Sequence, residues 1–144
     1  MNTIIIKSMI KKNMVPGNSH LLGEMVFNDL LRLLKFIHTA TKDGALTQDF
    51  IFNQQIDYLD EIWHLFILHT REYYQYCQEQ FGEIIHHSPY SEEVFSGDQQ
   101  DHENTFAEVS KQQFNLLVSY EGKDFVDRLF FQYPNIFGSK VAHE

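Results

Sequence analysis

Asp60 and His64 stand four residues apart in a stretch, Asp57 to Pro89, that also holds the only tryptophan, the only cysteine and four of the eight histidines of the chain. At about 100° of rotation per residue, an α-helix puts Asp57, Asp60 and His64 within an arc of about 60°. The resulting polar stripe adjoins an apolar one of Ile56, Leu59, Trp63 and Ile67. On a helix this apolar, carboxylates and an imidazole need partners, because a buried charge must be paired or neutralised by a pKa shift. Three partners are available. A divalent metal, zinc or iron, would take Asp60 and His64 with His87 or His86 as a third ligand, leaving positions open for water or substrate. Arg71 could instead form a bidentate ion pair with Asp57 or Asp60. The third arrangement is a carboxylate that orients His64 by a hydrogen bond, without metal.

The neighbouring polar residues fit this site less well. His69 lies about 140° round the helix from His64 and is excluded from a shared ligand sphere; an imidazolium there suits a helix C-terminus. Cys77 falls near the middle of the following helix, where a buried thiol is usually a small hydrophobe. A nucleophilic pair of Cys77 with a histidine lacks an electropositive setting. The chain also has no Gly-x-Ser-x-Gly elbow and no glycine-rich phosphate loop, so a nucleophilic hydrolase ranks last. Tyr73, Tyr74, Tyr76 and Phe81 read as core rings.

The elements that must position these residues are helical. From His20 to Thr41 apolar residues recur at helical spacing until Asp43-Gly44 ends the pattern. Phe50 to His69 is apolar round most of its circumference and predicts a central buried helix. Thr70 offers an N-cap for a further helix, Arg71 to Gln80, closed at Phe81-Gly82, so the unit is a hairpin or one long helix bent near Thr70. Ser88 to Asn104 has five acids and no base and predicts an acidic loop. Thr105 with Glu108 matches a capping box for the next helix, and Lys123 to Tyr133 forms a last amphipathic piece before Pro134. The expected architecture is all-α, a compact bundle of about five helices in a single domain over residues 20–144, behind an N-terminal segment 1–19 that the breakers Val15 to Ser19 set apart.

Composition bounds the partners. A chain of 144 residues that is 43% hydrophobic and 15% aromatic can bury a core of large rings. Its net charge is −9, and setting aside Lys7, Lys11 and Lys12, which precede the first acid, leaves −12 from Glu24 onward. Such a body repels nucleic acid and favours cations, metal ions or a basic protein partner. The Ile4-Ile5-Ile6 run is broken by lysines before it reaches the length of a secretory signal, and no run approaches the about 20 apolar residues of a membrane span. With one cysteine, the cytoplasm is the simpler expectation.

Asp60, Trp63-His64, Leu68, Thr70, Tyr73, Cys77, Phe81-Gly82 and His87-Ser88-Pro89 together resemble the signature of the glycine-rich domain-containing protein-like family, a domain of unknown function. The resemblance covers about Leu30 to Pro89 well and Phe106 to Asp127 loosely. It implies that Asp60, Trp63, His64, Cys77 and His87 form one spatial cluster, and it implies no activity. The chain departs from the pattern in lacking a glycine-rich tail and in carrying Leu59 where valine is usual.

Two functions are therefore expected to compete. One is a metal-binding helical protein, an enzyme in its stronger form, with Asp60, His64 and His87 as ligands and Asp57, Trp63, Arg71, Tyr73, Cys77 and His86 around them. The other is a non-catalytic protein-interaction module whose Trp-His-Asp cluster is a structural polar network and whose acidic loop meets a basic partner.

Overall fold

The structure is a computed structural model that describes residues 1–87 and 99–138. It is all-α: α1 (Asn2–Lys11), α2 (His20–Lys42), α3 (Asp57–Leu68), α4 (Thr70–Phe81), α5 (Gln99–Glu121) and α6 (Lys123–Asp127), the last continuing through a π-helical turn (Arg128–Gln132) into α7 (Tyr133–Phe137). Ser19 caps α2 by accepting a hydrogen bond from the Leu22 N–H at 3.1 Å. Within the 1–19 segment, α1 buries Ile5, Ile6 and Met9 in the common core. It crosses α2 at Gly23, where a Cβ would stand 3.2 Å from the Ile6 side chain. No helix among the described residues is long and apolar enough to cross a membrane.

The core is built on α2, which buries a stripe from Val26 and Phe27 to Ile37 and Ala40. Phe27 meets Phe66 of α3 edge to face, with centroids 5.2 Å apart. At the other end of the chain, Asp29 holds the last helical rod by accepting from Arg128 at 3.0 and 3.1 Å and from the Tyr133 hydroxyl at 2.6 Å. An i→i+5 turn explains how both reach one carboxylate: residues five apart in a regular α-helix would diverge by about 140°.

Three expected boundaries move. The helix expected from Phe50 begins only at Asp57, after a 3-10 turn over Gln54–Ile56. Phe50 and Ile51 are buried in irregular chain instead, because Gln113 of α5 competes for that backbone. Its side chain accepts from the Ile51 N–H at 2.7 Å and donates to the Ile51 carbonyl at 2.8 Å. Thr70 is the first residue of α4 and gives no side-chain cap, since the break falls at His69, whose ψ of 70° leaves the helix. The capping box at Thr105 is not one, as α5 already runs from Gln99; Gln and Glu propagate helix well, and acids near an N-terminus suit its dipole. Of the expected acidic loop, residues 88–98 lie outside the described residues and 99–104 are helical.

Burial pushes up the hydroxyls of Tyr58, Tyr73, Tyr76 and Tyr133, that of Tyr76 to about 12. The folded state thus holds these protons more tightly than the unfolded chain, whose tyrosines titrate near about 10. Stability from this source is complete below that pH and is lost as pH rises above it. In an alkaline titration, the phenolate absorbance of these four should appear only together with loss of helical circular dichroism. Their ionisation in a chain that keeps its helicity would contradict this packing.

Candidate metal centre

α3 carries Asp60 and His64 on the edge of its buried face, one turn apart, with their side chains 29% and 50% exposed. The third residue arrives from the chain beyond α4. Gly82, at a φ of 72°, ends that helix in the left-handed conformation and turns the chain back. A hydrogen-bond relay then fixes the returning segment: Trp63 Nε1 donates to the Tyr73 hydroxyl at 3.1 Å, and that hydroxyl donates to the Ile85 carbonyl. Two residues later the His87 ring lies on the Trp63 indole, with centroids 4.1 Å apart and planes at 30°. Phe52 meets the same ring edge-on at 5.6 Å.

In this position His87 is 6% exposed, and its Nε2 is 2.6 Å from Asp60 Oδ1. The same carboxylate oxygen is 3.7 Å from His64 Nε2. The ligand atoms of all three residues lie within 4.8 Å of one another. Ligands about 2.0–2.2 Å from a common ion stand roughly 3–4 Å apart, so small side-chain rotations complete a coordination sphere.

The decisive detail is one of geometry. His87 Nε2 is buried and lies 2.6 Å from Asp60 Oδ1 without a hydrogen bond of good geometry. Burial also lowers the pKa of His87; Asp60 opposes that shift and His64, at a ring distance of 4.7 Å, reinforces it. A buried imidazole nitrogen this close to a carboxylate oxygen, without a well-aligned hydrogen bond to it, is a donor pair that a shared cation would complete. The site therefore fits a metal ion on its own geometry.

The other expected residues fall into place around it. Of the two histidines in the turn, His87 joins the cluster, whereas His86 is exposed and points into an adjoining cleft. Arg71 is exposed and forms no ion pair with Asp57 or Asp60 among the described residues, so the ion-pair arrangement fails; α4 starts afresh after the His69 break and carries Arg71 outward. Asp57 is half-buried at the first turn of α3 and stays outside the cluster. Cys77 is fully buried beside Tyr73, where it helps to raise the hydroxyl pKa, and is not among the clustered ligand atoms. His69 closes α3 and meets Ser8 Oγ at 3.1 Å.

Sequence reasoning missed Phe52, Asp49 and Gln113. Phe52 packs on Trp63 and His87, and the Asp49 carboxylate favours the charged form of His87. Gln113 secures the segment that carries both. Only Gln113 left a signal, its register: it stands four residues after Val109 and four before Leu117, on the apolar face of α5.

A family model described as UCP032817-like matches residues 26–117. The chain belongs to this family. The UCP032817-like match spans every residue of the centre and the Gln113 that supports it, and the family is an uncharacterised one. It does not support the glycine-rich domain-containing name that the signature residues suggested. No curated protein and no solved structure matches the chain.

The relay predicts the effect of a single oxygen. Tyr73→Phe leaves both the Trp63 N–H and the Ile85 carbonyl without their partner, each an unmet buried group. It should cost about 1–3 kcal/mol in urea unfolding. An unchanged midpoint would show that the relay does not anchor the 83–87 segment.

Proposed function

We propose that this UCP032817-like protein binds a divalent metal ion through Asp60, His64 and His87 and keeps coordination positions open for exchangeable ligands. One observation carries the reading: a nine-tenths buried imidazole nitrogen with no hydrogen-bond partner, 2.6 Å from a carboxylate oxygen. A cation bound by both atoms, with the two side chains parted to the roughly 3 Å of a shared coordination sphere, gives Nε2 the partner it lacks.

One carboxylate and two imidazoles form the donor set of catalytic zinc sites and of the 2-His-1-carboxylate iron(II) centres. Structural zinc is usually enclosed by four protein ligands, so a set of three, with His64 half exposed, favours an exchangeable site. When bound, the ion would supply Lewis acidity or an activated water. The residues of the chain orient it: Trp63 and Phe52 hold the His87 plane, and Asp60 bridges the two imidazoles.

Protein purified without a histidine tag should carry about one equivalent of zinc or iron by elemental analysis, and chelation should lower its melting temperature. His64→Ala should abolish the stoichiometric metal yet change the stability of the metal-free fold by no more than about 0.5 kcal/mol, as expected for a half-exposed side chain. A structural polar network predicts the reverse, a destabilisation of about 1–3 kcal/mol that is independent of metal. Background metal content together with no thermal shift on adding Zn²⁺ or Fe²⁺ would end the metal reading.

A further inference from the structure

The open side of the proposed metal centre faces outward from α3. His64 and Asp60 are 50% and 29% exposed, and neither belongs to the walls of the two clefts, of about 550 and 360 Å³, that His87 helps to line. A small-molecule site buries most of its ligand in a cavity. The positions left free by Asp60, His64 and His87 are instead reached from the surface of a helix. Three protein ligands are one short of the tetrahedral set that encloses structural zinc. One further nitrogen donor would complete it.

The surface beside those positions suits a chain segment better than a free anion. Where α3, α4 and the returning segment meet, the cleft of about 360 Å³ is walled by Ile67, Tyr73, Tyr74, Ile84 and His87. It adjoins the centre, because the His87 ring stands 4.7 Å from that of His64. Tyr74, expected among the core rings, is 59% exposed, and Leu68, one turn beyond His64 on α3, is 74% exposed. Exposed apolar groups around a cleft mark interaction sites, and tyrosine is enriched at protein interfaces. Two turns before His64 on the same stripe stands Asp57, half-buried and without an ion pair among the described residues. Arg71, the nearest base in sequence, is exposed and pairs with neither Asp57 nor Asp60.

We infer that a histidine of a basic partner protein docks on this face and becomes the fourth ligand of the ion. An apolar residue near that histidine enters the Tyr74 cleft, and a lysine or arginine on its other side lies toward Asp57. This partner depends on the metal reading, since it ligates the same ion. The step is a ligand exchange: the incoming imidazole nitrogen takes the place of a bound water, and no oxidation state changes. A phosphate or carboxylate is disfavoured there, because Asp57 repels it and no lysine or arginine among the described residues shares its charge with the centre. A second copy of the chain is disfavoured by repulsion between two bodies of net charge −9.

Co²⁺ reports such an exchange, because its visible absorption changes with coordination number and geometry. Protein without a histidine tag is loaded with Co²⁺ at about pH 7.5, where a free imidazole is mostly neutral. It is titrated with the blocked peptides Leu-Gly-His-Gly-Lys and Lys-Gly-His-Gly-Leu, which present the three side chains in both chain directions. The expected result is a saturable spectral change with one order, about tenfold tighter than with free imidazole, and none when Ala replaces the peptide histidine. Glu in place of the peptide lysine should weaken binding and remove its salt dependence. Tyr74→Ala should take up Co²⁺ like the wild type, with an unchanged melting temperature, and bind the peptide about tenfold more weakly. Free imidazole or inorganic phosphate binding as tightly as the peptide, or Tyr74→Ala binding it like the wild type, would overturn the inference. Co²⁺-dependent dimerisation of the protein alone would also overturn it and assign the face to a second copy. Uptake of Co²⁺ without any response to either peptide sinks this inference and leaves the metal reading standing, whereas no uptake sinks both.

Discussion

The hydroxyl of Tyr73 is the constraint on which the rest of the site depends. It accepts from the Trp63 indole on one side and donates to the Ile85 carbonyl on the other, joining α3, α4 and the returning chain at one buried point. Without that fixed point, an irregular segment after a helix end would pay the full entropy of ordering His87 against Asp60. With it, the imidazole packs on Trp63 and its Nε2 is held 2.6 Å from the Asp60 carboxylate without a hydrogen bond of good geometry. The frustration at Nε2 is thus a product of the packing around it.

The same geometry gives His87 two different faces. Toward α3 it meets Asp60 and His64, in a cluster with the donor types and spacing of a metal site. Toward α2 it borders a cleft that His38, Lys42, Asp49 and Glu83 also line. Both faces draw on one segment, 49–52, in which Asp49 contributes charge, Phe50 core and Phe52 a wall for His87. Gln113 holds that segment with a pair of hydrogen bonds resembling those of a β-bridge, made by a side chain. A buried amide is tolerated there because both its donor and its acceptor are used.

Much of this was legible in the chain itself. Periodicity located α2 and α3, Gly82 marked the end of α4, and i,i+4 spacing put Asp60 and His64 on one stripe. The same rotation argument excluded His69, which now closes α3 beside Ser8. Legibility failed where a distant element competed with local propensity. Phe50 to Asn53 read as helix until Gln113, some sixty residues away, engaged the Ile51 backbone. Arg71 was an open partner for the carboxylates until the break at His69 rotated α4 and carried it into solvent.

By itself, then, the sequence determined the helical class, the polar stripe on α3 and the residue types able to hold a cation, because these follow from periodicity and donor chemistry within a few residues. The family signature pointed to His87; tertiary structure decided how it is turned inward while His86 stays exposed, and that Asp49, Lys42 and Glu83 line one cleft. The reason is physical. Which of two adjacent histidines turns inward depends on the path of an irregular segment, and that path is set by long-range hydrogen bonds and ring packing that no local pattern encodes.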